Sequence, residues 1–208
     1  MNSSGILNYM SEKSHNSLYK NGKVFTKRDI NGSDAGSKGI DLNKQNIKII
    51  NARDTSQNNK ISIDKQGFEI LHSNISNLDL DFFNNKEVLD KYYSYCANFI
   101  KDRTGAKDVY AFDHNIRSAS GKKSKKMIIG GQQVQGPAYI VHGDYTLTSA
   151  PDRFSQLSKP VGKNDTLRQL LGKSGSLLSP DTVNETLSNG RFAIINLWRN
   201  IVQDPVEI

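Results

Sequence analysis

Apolar residues are spread unevenly along this chain, and the asymmetry limits where a core can form. From residue 1 to about residue 48, Ser, Asn, Gly, Lys and Asp dominate, with almost no regularly spaced apolar positions. A segment of that kind buries too little surface to offset its chain entropy. Residues 1–45 are therefore expected to be a poorly ordered leader, and residues 46–208 a domain. With 208 residues, 36% of them hydrophobic, and a mean hydropathy of −0.59, one core with peripheral additions is expected rather than two full domains.

No run approaches the ~20 consecutive apolar residues of a membrane-spanning helix, and the first residues lack a basic stretch followed by an apolar one. The expectation is a soluble, cytoplasmic protein with no membrane partner. The single cysteine, Cys96, has no intrachain disulfide partner, which fits a reducing compartment. The net charge of +7 raises the question of an anionic partner. Its one dense cluster comprises Lys122, Lys123, Lys125 and Lys126, with no interleaved aromatics to stack on bases. A solvated loop is the simpler reading; a basic nucleic-acid-binding module is the alternative.

Alternation predicts strands at 46–50, 60–64 and 68–71, with turns between them. A helix is expected over 87–100, where Val88, Leu89, Tyr92, Cys96, Phe99 and Ile100 fall on one face, and Gly105 stands where that helix should end. Cys96 within that stripe reads as a buried structural thiol. Further strands are expected at 108–113 and 138–146. Short helices should span 166–171, before Gly172, and follow Ser179-Pro180 as far as Gly190. The run 191–199 is apolar on both faces through its middle, as in an interior strand, which makes Trp198 a core residue. Together these predict an α+β fold, mainly β, with supporting helices.

On a strand, positions two apart share a face, so His142 and Asp144 can direct an imidazole and a carboxylate at one metal ion. Two histidines and one carboxylate with open positions form the ligand set of non-haem Fe(II) oxygenases. The His-x-Asp tripeptide alone is a weak signal.

Its context is more specific. Phe112-Asp-His-Asn-Ile-Arg117, Val141-His-Gly-Asp-Tyr-Thr146, Ser149-Ala-Pro-Asp-Arg153 and Gly190-Arg-Phe-Ala-Ile-Ile-Asn-Leu-Trp-Arg199 occur in that order. Together they resemble the CmcJ/AsaB-type hydroxylase/desaturase family of non-haem Fe(II)/2-oxoglutarate oxygenases, in its amino-terminal portion. The resemblance implies a double-stranded β-helix (jelly-roll-like) core, incomplete in this sequence, with His142 and Asp144 as the first two iron ligands. It also implies 2-oxoglutarate and oxygen as co-substrates, and hydroxylation or desaturation of a small natural product in a complete parent protein. Arg117, Arg153 and Arg199 are candidates for binding a carboxylate of substrate or co-substrate, because guanidinium pairs with it bidentately; structural salt bridges for Arg153 and Arg199, and a polar cluster at a strand end for Arg117, are the simpler readings. Tyr145 and Thr146 are candidates to shape the site or steady Asp144, with packing an equal alternative. For His114 a hydrogen-bonded structural role outweighs metal ligation.

In the family pattern the third iron ligand is a histidine well after the Trp-Arg strand. The four histidines here are His15, His72, His114 and His142, so none follows Asp144. The sequence also departs from the pattern at Asn200, where proline is usual, and in the Lys- and Gly-rich insertion at 121–136. The expectation is a truncated chain, inactive by itself and prone to self-association through exposed strand edges. A non-enzymatic, degenerate member of the family is the other reading.

Overall fold

The computed structural model describes residues 3–13, 25–28, 34–38, 41–55, 61–163 and 165–202. The strands among them are β1 (Ser3–Met10), β2 (Phe25–Arg28), β3 (Asp34–Lys38) and β4 (Leu42–Ile49). β1 runs antiparallel to β4, from Ser3 opposite Ile49 to Met10 opposite Leu42. β2 pairs antiparallel with β3, with a register shift between Thr26 and Arg28. The span expected to be a leader thus contributes paired strands. Its composition forbids a core but not a ladder, and β4 is exposed at every position except the half-buried Ile47. Gly5 fits against Ile49, whose Cδ1 would lie 2.7 Å from a Cβ at that position. Other parts of the supposed leader, including His15, lie outside the described residues.

The chain divides into two compact units. One comprises Met1–Arg28, Asp34–Asn77 and Ala138–His142; the other comprises Asp29–Ser33, Leu78–Pro137 and Gly143–Ile208. This division does not follow a 45/46 boundary.

In the first unit, β4 leads to α1 (Ala52–Thr55) and α2 (Ile63–Gln66). A strand was expected across the second of these, and Lys60 at its start lies outside the described residues. The helical turn forms because Gln66 Oε1 reaches back to accept from Ser62 N–H at 2.9 Å, and Gly67, at φ 76°, closes it. Residues 68–71 lie outside any ladder. The segment 138–142 lies along β1: Val141 N–H donates to Asn8 O and Asn8 Nδ2 donates to Tyr139 O, both at 2.8 Å.

The second unit holds the core. Asn84 caps α3 (Asn85–Glu87), which continues through a π-helical turn, Val88–Tyr92, into α4 (Tyr93–Thr104). A π turn inserts one residue into the helical repeat, so the apolar face rotates. The buried residues are Val88, Leu89 and Tyr93, while Tyr92 and Cys96 are half-buried. Gly105, at φ 67°, caps the end as expected. α5 (Ala119–Lys123) occupies the basic stretch expected to be a loop; Ser118 accepts from Gly121 N–H, and a Cβ on Gly121 would lie 2.9 Å from Val134 Cγ1. Lys126 Nζ lies 3.3 Å from the centre of the Phe83 ring.

α6 (Ser149–Gln156), α7 (Arg168–Leu171) and α8 (Pro180–Asn189) follow, the last with Ser179 as its cap and Gly190 past its end, as the sequence predicts. Buried side chains form three clusters, centred on Val88–Leu89–Tyr93 with Val161 and Leu167, on Ile116–Ile128–Val134, and on Leu157–Leu178–Val183.

Residues 108–113, 138–146 and 191–199, each expected as a strand, form no ladder. In the last, the half-buried positions change parity at Ile194 and Ile195: Phe192, Ile194, Ile195, Leu197 and Arg199 are half-buried, with Phe192 stacked on Phe154 at 4.5 Å. Trp198 is 79% exposed, so it is not a core residue. Among the described residues, no helix is long and apolar enough to cross a membrane.

Candidate functional site

His142 belongs to the first unit and Asp144 to the second. Both are exposed, and neither lies on a laddered strand. The His142 Nδ1 is 2.7 Å from Ile140 O. A carbonyl only accepts, so Nδ1 carries the proton, and in the neutral ring the lone pair falls on Nε2. A backbone carbonyl fixing one ring nitrogen is the usual arrangement around a metal-binding histidine.

Asp144 Oδ2 accepts from Asn196 Nδ2, which restrains the carboxylate. The sequence reading gave Asn196 no role. Asn196 is the polar residue in the apolar stretch Phe192-Ala-Ile-Ile-Asn-Leu-Trp198, and because its side chain is exposed that pattern alone names no partner. Thr146, considered as support for Asp144, lies in the turn that leads into α6. It exchanges hydrogen bonds with Ser149: the Thr146 N–H donates to Ser149 Oγ at 2.9 Å and the Ser149 N–H to Thr146 Oγ1 at 3.0 Å. Tyr145 is exposed beside this turn.

The three candidate arginines are held separately. Arg117 donates from a terminal nitrogen to Gly136 O at 3.0 Å, and the Arg153 guanidinium carbon lies 5.2 Å from the centre of the Phe112 ring. Arg199 Nε donates to Tyr92 Oη at 3.2 Å. Burial pushes the Tyr92 hydroxyl up to about 12, so it stays protonated near neutrality. Burial likewise raises the Cys96 thiol, which disfavours the thiolate a nucleophile needs.

His114 is hydrogen-bonded structure. Tyr93 Oη lies 2.9 Å from its Nδ1, and the two rings meet edge to face. Burial lowers the His114 pKa, with Asp113 acting in the opposite direction. The Asp113 carboxylate accepts from the His114 N–H at 2.9 Å and from Thr166 Oγ1 at 3.2 Å.

An imidazole and a carboxylate, the side-chain types of His142 and Asp144, are donor types of a mononuclear iron site, and each has a supporting contact. Among the described residues, no group of three or more His, Cys, Asp or Glu converges as a metal site.

Comparison with known proteins adds the family context. Residues 7–207 match the model of the oxidoreductase/YMDC permease-like domain. A protein from the dcmA 3′ region of Methylophilus leisingeri is 40% identical over 196 residues, covering 94% of this chain and 89% of that protein. The oxidoreductase AN1597 of Emericella nidulans is 29% identical over 71% of this chain and 43% of its own length. The alpha-ketoglutarate-dependent dioxygenase tstK of Talaromyces stipitatus is 26% identical over 72% of this chain. The alignments span less than half of these two fungal relatives, 43% and 47%. No solved structure matches the chain.

Proposed function

Because the chain belongs to the oxidoreductase/YMDC permease-like domain family, we propose that its oxidoreductase-like function is Fe(II)- and 2-oxoglutarate-dependent hydroxylation or desaturation of a small molecule. The names of the fungal relatives, which include a hydroxylase/desaturase, support that chemistry. The observation that carries it is the orientation of His142 by Ile140 O, which makes Nε2 the nitrogen able to bind metal.

In this reading His142 Nε2 and Asp144 hold the iron, and Asn196 keeps the carboxylate in one rotamer. When bound, iron and 2-oxoglutarate would supply the oxidising power to break a C–H bond. Arg117, Arg153 and Arg199 are the candidates to neutralise a carboxylate of substrate or co-substrate, and Tyr145 to flank it. A double-stranded β-helix is the fold we propose around them, on the strength of the ordered motifs.

The test is anaerobic titration of the purified chain with Fe(II), followed by calorimetry. We expect His142→Ala and Asp144→Ala each to weaken binding at least about tenfold. Equal affinity in the parent and both variants would remove the assignment.

A further inference from the structure

The second unit contains a cleft of about 410 Å³, large enough for a small metabolite. None of His142, Asp144 or the candidate arginines lines it. Its walls carry six carboxamides, those of Asn85, Asn115, Gln132, Gln133, Gln135 and Gln169. Two of these, Asn85 and Gln135, are only 4% exposed. Hydrogen bonds lock both pairs in place: Asn85 Nδ2 donates to Gln169 Oε1 at 2.7 Å, and Gln135 Nε2 donates to Asn115 Oδ1 at 2.8 Å.

The backbone fixes a third side. Gly130 takes φ 68°, and a Cβ there would lie 2.6 Å from Gln169 Nε2. The Gly130–Gly131 turn can therefore sit against Gln169 only without a side chain. A rigid frame of carboxamides offers paired donors and acceptors, which suit hydroxyl groups on a ligand.

Charge narrows the class. Lys163 and Arg168 face the cleft with a single carboxylate, Asp165. Asp165 Oδ1 is turned back to accept from Leu167 N–H at 2.9 Å. The Arg168 guanidinium is pinned by donating to Val161 O at 3.2 Å and Gly162 O at 3.3 Å. The balance leaves one net positive charge beside the carboxamides.

We propose that this cleft binds a small hydroxylated monocarboxylate, with its carboxylate towards Lys163 and Arg168 and its hydroxyls on the carboxamide walls. The site is independent of the proposed iron chemistry, and binding there requires no metal.

Ligand-detected saturation-transfer NMR on the full chain, without metal, tests it. The probes are D-gluconate and sorbitol, which differ in that one terminal carbon is a carboxylate or an alcohol. Gluconate should bind with a Kd of about 1 mM or tighter, and sorbitol at least about tenfold more weakly. Lys163→Glu reverses the charge at an exposed position, and Met127→Trp fills the cleft from a residue that is 51% exposed. Each should reduce gluconate binding at least about tenfold while leaving the circular dichroism spectrum unchanged. Equal binding of the two probes, no transfer from gluconate at ~10 mM, or full binding in either folded variant would overturn the proposal.

Discussion

The contact between Tyr93 and His114 is a single-residue feature with a measurable pH signature. Burial holds the His114 pKa below its ordinary value, so the unfolded chain binds that proton more tightly than the folded one. Above about pH 6.5 neither state is protonated and the group contributes no pH dependence. As the pH falls through that value the unfolded chain gains a proton first, and stability drops. We expect the urea midpoint to fall between about pH 7.5 and 5.5, a window above the usual carboxylate range. The fall should be shallower in His114→Gln, and equal slopes in both proteins would contradict the argument. Tyr93→Phe should cost about 1 kcal/mol at pH 7.5, since it removes the hydroxyl paired with Nδ1. The sequence made His114 legible as hydrogen-bonded structure, but not its partner. Tyr93 lies 21 residues away, and the π turn decides whether its ring points inward.

At the level of elements, the termini of the helices were the most legible parts of this sequence, because capping is local chemistry. Gly105 and Ser179 stand where their residue types predict, and each provides a test. Gly105 adopts φ 67° with nothing within 4 Å of a built Cβ, so Gly105→Ala should cost about 1 kcal/mol through backbone strain alone. Ser179 Oγ accepts from Thr182 N–H at 3.0 Å, and Ser179→Ala should cost a similar ~1 kcal/mol. Thermal melts of the two variants check both values, and a wild-type melting temperature in either would show that the cap is not limiting. Strand pairing was less legible. A ladder depends on a partner distant in sequence, and an apolar run such as 191–199 does not say whether a neighbour pairs with its edge. The π turn left no mark in the residue pattern either, and it moved the buried face from Tyr92 towards Tyr93.

Across the whole molecule, protection against hydrogen exchange should follow burial. The β1–β4 ribbon is hydrogen-bonded but largely solvated, whereas Val88 and Leu89 are 1% and 4% exposed. Amides of β1 and β4 should therefore exchange faster than those around Val88 and Leu89 in the helix, by local opening rather than global unfolding. Equal protection, read by mass spectrometry of exchanged peptides, would show that the ribbon is part of the main cooperative unit. The candidate site was only partly legible for a related reason. His142 and Asp144 stand out by residue type and spacing, but the contacts that steady them come from Ile140 O and from Asn196, 52 residues beyond Asp144. The first strand shows what such separations mean during synthesis. β1 leaves the ribosome before any segment it pairs with, and the contact from Asn8 to Tyr139 spans 131 positions. A nascent chain must therefore carry β1 with one edge unclaimed until Tyr139 has been made, and for that interval the edge is available to a chaperone or to a second chain.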